Sequence, residues 1–298
     1  VIHRAVLVAA FALLQAPPAD PLIADLRTLT LAEDGGGRFD AIAGMLRARR
    51  IPFSVEPFTL DTRVGPEPRT EGRNIVVTLG EGSDDVVIGA HYDAARLPDG
   101  TLSQGAVDNA SSSVALVLVA DTLRAERLAM RVRIVWFDVE ESGLIGSRRY
   151  VAAHAGDRIR AMLNFDINGY GDTVAFGPPA GGESAWLLRT MAQACADEGL
   201  DCVRFAQMPV GDDRPFGAAK IPTLSIAQLP ALEVHQLWLL LHGGKNSGLA
   251  QGTQPTILRT IHTADDVVDK VDRATIERAH RLAVALVRLL PRRWPESR

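Results

Sequence analysis

The chain reads as an α/β protein: a three-layer α/β/α sandwich around a mixed, mostly parallel central sheet. Three observations predict it. Short apolar, β-branched runs alternate with amphipathic stretches along most of the chain. The runs are close to continuously apolar, as strands covered on both faces are. The sequence is also 47% hydrophobic and 23% charged, enough apolar material for a substantial core. Without an internal repeat, a low-complexity tract or a composition break, residues 20–298 read as one unit, preceded by a leader at 1–19.

The leader comes first. His3 and Arg4 precede an apolar run from Ala5 to Leu14 and then Pro17 and Pro18, the layout of a signal peptide cleaved near Ala16 to Ala19. That layout places the protein outside the cytoplasm, secreted or periplasmic. A buried N-terminal helix is the alternative. The run is shorter than the roughly 20 apolar residues that cross a bilayer, so no stable membrane anchor is expected. Phe39, Ile42, Met45 and Leu46 then fall at helical spacing within Arg38 to Arg50, and the segments Phe53 to Thr59 and Asn74 to Leu79 have strand character, with Gly- and Pro-rich turns between them.

From there apolar strands and helices alternate. Strands are expected at Val86 to His91, Val132 to Val139, Ala161 to Ile167, Val203 to Phe205 and Thr223 to Ala227. Helices are expected at Ser111 to Arg124, Leu144 to Ala153, Ser184 to Ala196 and Arg273 to Leu290. In open sheets of this kind ligands collect beyond the carboxyl ends of the strands. A net charge of -4, from 32 basic and 36 acidic residues mixed along the chain, provides no cationic field for a phosphate backbone, which argues against nucleic acid as a partner. Two cysteines, Cys195 and Cys202, stand between a helix and the next strand. They read either as a disulfide of an oxidising compartment or as two unrelated small buried residues.

Acids and histidines gather where the strands end. Val86 to Ala90 runs into His91-Tyr92-Asp93, and Gly105-Ala106-Val107-Asp108-Asn109 delivers a carboxylate at the start of a long helix. Asp108 fits an ordinary N-cap, yet Asn109 or Ser111 would cap equally well and leave it free. The strand Val132 to Val139 ends in Glu140-Glu141, two adjacent carboxylates that repel if partly buried and call for a cation, a proton or strain. One glutamate can then ligate while its neighbour exchanges protons. Asp166 closes a third strand, and His262 follows Ile261 late in the chain. Singly each is more often structural than functional. Together, two His, two Asp and two Glu at loop ends of one sheet suit Zn²⁺ with mixed nitrogen and oxygen ligands.

The series His-x-Asp, Gly-x-x-Asp-Asn, Glu-Glu-x-Gly-Leu-x-Gly-Ser, Asn-x-Asp and His-Thr-x-x-Asp resembles metallopeptidase family twenty-eight, whose zinc exopeptidases include dizinc aminopeptidases, glutamate carboxypeptidases and glutaminyl cyclases. The resemblance covers most of the chain after Val86. It implies two zinc ions, one held by His91, Asp108 and Asp166, the other by Asp108, Glu141 and His262, with Asp108 bridging. It implies Asp93 behind the His91 ring, Glu140 as general base, a cis peptide after Asp108, and peptides with a free N-terminus as substrates.

The match has departures. Gly211-Asp212-Asp213-Arg214-Pro215-Phe216 is similar to the family's Ser-Asp-His-x-Pro-Phe, with Gly for Ser and Asp for His. The tyrosine that some aminopeptidases carry shortly before it is missing from Ala206 to Pro209. Ser112 and Val267 replace a common glycine and threonine. A long excursion from Leu229 to Thr260 reads as a substrate-facing lid, a dimer contact, or an ordinary peripheral helix with a hairpin. His154, His235, His242 and His280 are not counted as ligands. The rival functions are a one-zinc glutaminyl cyclase, a carboxypeptidase for acidic C-termini, which lacks an evident arginine cluster, and a non-catalytic peptide-binding homologue.

Overall fold

The computed structural model describes residues 20–32, 34–60, 69–179, 184–243 and 254–292; the leader lies outside the described residues. The described chain opens with a helix that the apolar pattern did not reveal, α1 (Pro21–Thr30). Its start signal was nonetheless written in the sequence. Asp20 accepts the Leu22 amide at 2.9 Å and Pro21 occupies the first helical position, while Leu22, Leu26 and Leu29 face inward. Helix α2 (Gly35–Ala48) follows, capped by Asp34 on the Gly37 amide at 2.7 Å. It ends with Ile51 N on Leu46 O and Arg50 N on Arg47 O, the paired bonds of a left-handed helix stop, and Arg50 supplies the positive φ of 54°.

The sheet comprises β1 (Ser54–Thr59), β2 (Glu71–Leu79), β3 (Asp85–His91), β4 (Arg131–Phe137), β5 (Ile159–Phe165), β6 (Thr173–Gly177), β7 (Cys202–Arg204) and β8 (Thr223–Leu229). Its order is β1-β2-β4-β3-β5-β8-β6-β7. The central run β4-β3-β5-β8 is parallel, and so is β6-β7; the joins β1-β2, β2-β4 and β8-β6 are antiparallel. Strand periodicity divides the side chains into two layers. Val86, Ile88, Ala90, Ile134, Trp136, Leu163 and Phe165 join the core built with α1, α2, α3 (Ser111–Leu123), α5 (Ala185–Asp197) and α9 (Arg273–Leu289). Val87, Val135, Phe137 and Met162 join Tyr150 of α4 (Ile145–Ala153) and Phe216 of α6 (Asp213–Ala218) on the other face. The three-layer expectation therefore holds.

Strand β6 and helix α6 were not anticipated. Both are short, and β6 carries a single β-branched pair before Ala-Phe-Gly, too little for a periodic signal. The excursion after β8 contains α7 (Ala231–His242) and α8 (Ile257–Thr260); residues 244–253 of it lie outside the described residues. Cys195 and Cys202 form a disulfide with a Cα–Cα distance of 6.3 Å, joining α5 to the edge strand β7. At the amino ends of β3 and β4, far from the strand ends that carry the acids, buried Asp85 pairs with Arg131 and Arg133, and Arg133 reaches on to Asp157.

Candidate metal centre

Two of the strands that end at the site, β4 and β5, are broken sharply just past their ends, and the loop after α8 (Ile257–Thr260) turns as sharply at His262. Val139 (φ 60°) precedes Glu140, Ile167 (φ 58°) follows Asp166, and His262 has φ 58°. Left-handed backbone is strained for β-branched residues, so the surrounding structure must hold it. Asp108 lies in a π-like turn before α3, and its peptide bond to Asn109 is cis.

The capping reading of Asp108 fails. The start of α3 has no side-chain cap at all. Asn109 instead donates to Phe165 O at 2.9 Å and accepts from Ile167 N at 3.2 Å, tying the turn to the end of β5. Ser111 bonds back to Val107 O. The Asp108 carboxylate is left facing two imidazoles, with its Oδ1 3.1 Å from His91 Nε2 and its Oδ2 3.2 Å from His262 Nε2. Asp266, the acid of His-Thr-x-x-Asp, accepts the backbone amides of Val107 at 2.7 Å and Asp108 at 3.1 Å. Sequence reasoning gave Asp266 no role. Its spacing four residues after His262 was the available signal.

The remaining candidates converge on the same space. His91 Nε2 lies 3.7 Å from Asp166 Oδ1, and His262 Nε2 lies 3.0 Å from Glu141 Oε2. Asp93 sits behind, 3.3 Å from His91 Nδ1, and its two oxygens accept the amides of Glu140 and Glu141 at 3.1 and 3.2 Å. Potential ligand atoms of His91, Asp108 and Asp166 lie within 4.8 Å of one another, as do those of Asp108, Glu141 and His262, and those of His91, Glu140 and Glu141. Glu141 Oε1 and Asp166 Oδ1 are buried without a hydrogen-bond partner. Orphaned acceptors beside imidazole nitrogens are what a divalent cation would satisfy, so the residues fit zinc.

Electrostatics support the same fit. Burial pushes Glu140 well above the ordinary glutamate range against the opposing pull of His91, with Asp212, Asp166 and Asp93 adding to the rise; Asp166 and Glu141 are raised chiefly by burial too. Burial would also raise Asp108, but hydrogen bonds from His262 and His91 hold it far below its usual value. His262 is pushed up to about 10 by its bonds to Asp108 and Glu141. His91, despite burial that opposes it, is raised by Glu140, Asp108, Asp166 and Asp93. Raised carboxylates and raised imidazoles side by side mark an excess of negative charge that a bound cation would offset. Arg38 of α2, wholly buried, adds more. It donates to the carbonyls of Tyr92 and Gln104, and its own value is lowered to about 10 by burial.

The departures sit close by. Asp212 and Asp213 are fully buried beside the centre, pushed up to about 7 and about 8 by burial first, with Asp166 among the acids that raise each further. A Cβ on Gly211 would stand 2.9 Å from Asn164 Nδ2 and 3.4 Å from Asp166 Oδ2, so glycine at the family's serine position fits tightly packed surroundings. Arg214 is exposed. The uncounted histidines have other partners: His154 meets Glu56 and Asp157, His280 meets Thr122, His235 bonds within its own helix, and His242 stacks on Trp238. The excursion has a describable duty. Glu233 of α7 accepts from Tyr170 Oη at 2.6 Å and from Ile257 N at 2.8 Å, anchoring the segment that leads to His262.

Fold and site together define an α/β protein with a buried acidic centre shaped for metal. Residues 74–287 match the model of Peptidase family M28, and the chain belongs to that family of metalloenzymes. Among its relatives, leucine aminopeptidase 1 of Arthroderma otae is 35% identical over 108 residues, covering 33% of this chain and 29% of that protein. The leucine aminopeptidase 1 of Uncinocarpus reesii is 32% identical over the same length, covering 33% of this chain and 27% of its own. The matched segment thus spans under a third of those relatives. Similar solved structures include a zinc aminopeptidase from Bacillus subtilis, with TM-score 0.57 and 21% identity over 73% of this chain and 50% of that one. Another is the glutaminyl cyclase of an Acidobacteriales bacterium, with TM-score 0.70 and 22% identity over 95% of this chain and 99% of that one.

Proposed function

We propose that the protein is a dizinc aminopeptidase, hydrolysing the first peptide bond of substrates with a free N-terminus. The observation that carries this reading is the sharing of Asp108 by two potential ligand triplets, His91–Asp108–Asp166 and Asp108–Glu141–His262. Two zinc ions bound there would bring a water toward deprotonation near neutral pH and stabilise negative charge on the scissile carbonyl.

The chain's own residues do the rest. Glu140, kept avid for protons by burial, takes the proton of the attacking water and hands it to the departing amine. Asp93 fixes the backbone under Glu140 and Glu141 and steadies His91, so that base and ligand move as one piece. Asp266 does the same for Asp108. The surplus of carboxylates attracts the substrate's α-ammonium. Export to an oxidising compartment belongs to the same proposal, supported by the leader-like pattern before Asp20 and by the Cys195–Cys202 disulfide.

The test is the Glu140→Gln variant with metal analysis on the same sample. It should keep about two zinc ions and lose turnover by on the order of 10³-fold or more, and wild-type protein should cleave free but not N-acetylated aminoacyl substrates. Normal hydrolysis by the variant removes Glu140 from the role. One bound zinc, with ring closure of N-terminal glutamine, would transfer the reading to a glutaminyl cyclase.

A further inference from the structure

A cavity of about 980 Å³ opens beside the centre, with Asp93, Glu141 and His262 on its wall. Three arginines distant in sequence, Arg69, Arg73 and Arg96, also line it. Resting on the aminopeptidase reading, we propose that this cleft is a carboxylate-binding subsite in which Arg73 and Arg96 receive the anionic end of a short peptide.

The three guanidiniums are differently committed. Arg69 is spent on structure: it pairs with the buried carboxylate of Asp138 and donates to Glu71 O at 2.9 Å. The Arg73 guanidinium has no carboxylate partner among the described residues, although its backbone amide donates to Asp138 at 2.8 Å. Its Cζ rests 3.9 Å from the centroid of the Phe39 ring. Stacking holds a guanidinium by its face and leaves its N–H edge available to a carboxylate. Among the described residues the Arg96 guanidinium bonds only to the Gly100 carbonyl, at 3.0 Å, and the residue is exposed.

Four acids share the lining, Asp34, Glu71, Asp93 and Glu141, and among the described residues none of them pairs with the guanidinium of Arg73 or Arg96. Asp34 is engaged as the cap of α2, and Asp93 is engaged by the amides of Glu140 and Glu141. Glu71 is exposed to water. Gly35 and Gly36, in the first turn of the 14-residue α2, line the cavity as well, adding the positive end of a helix dipole. An extended peptide advances about 3.3 Å per residue, so a carboxylate on the first to third residue beyond the scissile bond lies within about 10 Å of it along the chain. The chemistry is that of a carboxylate, whether the chain terminus of a di- or tripeptide or an acidic side chain.

Binding to the zinc-loaded Glu140→Gln protein tests the subsite without turnover. Calorimetry compares Leu-Gly-Gly, its C-terminal amide, and Leu-Asp-amide. The free acid should bind roughly tenfold tighter than its amide, and the preference should shrink as salt rises from about 0.05 to about 0.5 M. Arg73→Met and Arg96→Met, the latter at an exposed position that leaves the fold undisturbed, should each cut the preference to roughly threefold or less while moving amide affinity under about twofold; Arg73→Lys should retain part of it. Leu-Asp-amide binding like the free acid assigns the subsite to acidic side chains as well, and binding like the amide assigns it to the terminus. Equal affinity for acid and amide, or a parallel loss for all three ligands in both variants, overturns the proposal. Wild-type protein that keeps the preference yet hydrolyses none of the three overturns the aminopeptidase reading and leaves the subsite standing.

Discussion

Replacing Gly146 by alanine should damage the centre without touching a ligand. Gly146 is the second glycine of Glu-Glu-x-Gly-Leu-x-Gly-Ser and stands in the first turn of α4. An added Cβ would lie 2.3 Å from Asp138 O, 2.8 Å from Asp138 N and 2.6 Å from Asn74 Oδ1. These atoms cannot yield separately. Asn74 donates to Gly146 O at 3.0 Å and accepts from Asp138 N at 3.1 Å, while Gly146 N donates to Asp138 O at 3.0 Å. The backbone at Asp138 must therefore retreat by on the order of 1 Å, and Glu140 is two residues on. Overpacking of this kind costs about 1–3 kcal/mol, offset by up to about 1 kcal/mol from alanine's helix preference, for a net loss between about 0 and 3 kcal/mol. If Glu140 is the base, as proposed, misplacing it by that distance should lower turnover by about 10²-fold. Urea unfolding, zinc content and turnover check the three quantities, with Gly156→Ala as control, since a Cβ there meets no atom within 4 Å. A Gly146→Ala protein with wild-type midpoint and turnover would refute the reasoning.

Three further outcomes are expected. Cys195→Ala with Cys202→Ala should lower stability by about 2–3 kcal/mol, the loop-closure entropy of a cross-link spanning so few residues, visible as a lower urea midpoint. His154 is raised above 6.5 by its hydrogen bond with Glu56, then by Asp157, against burial and Arg133. Its protonated form therefore stabilises the fold fully below pH 6.5 and progressively less as pH rises through the raised value. His154→Gln should cost up to about 1 kcal/mol more at acidic than at alkaline pH, and a gap that is flat or widens with pH would contradict this. Arg50, exposed with φ 54° at the end of α2, should gain about 0.5–1 kcal/mol on change to glycine, read as a higher melting temperature.

Much of the architecture was legible because strands buried on both faces write their apolar character without interruption, and because His91, Glu140, Glu141 and Asp166 follow directly on such runs. Asp108 was legible only through its neighbours, and its cis peptide only through the family resemblance. What stayed hidden depended on contacts distant in sequence. Arg73 and Arg96 look like scattered surface charges until β2 and the segment after β3 bring them to one cleft, which is why no arginine cluster was seen. Asp266 reveals its purpose only when its loop meets residues 107 and 108. Helix α1 was hidden for a different reason: it is only ten residues long and its three inward leucines are too few to stand out as a periodic pattern.

The clamp of Asp266 on the Val107 and Asp108 amides also sets an order of events during synthesis. A growing chain already carries His91, Asp93, Asp108, Glu140, Glu141 and Asp166 well before the segment with His262 and Asp266 emerges. Until that late segment docks, the turn bearing Asp108 lacks the acceptor for its two amides and the centre lacks its second imidazole. The centre is thus completed last, and a chain truncated before residue 262 carries most of the candidate ligands without the segment that closes the set.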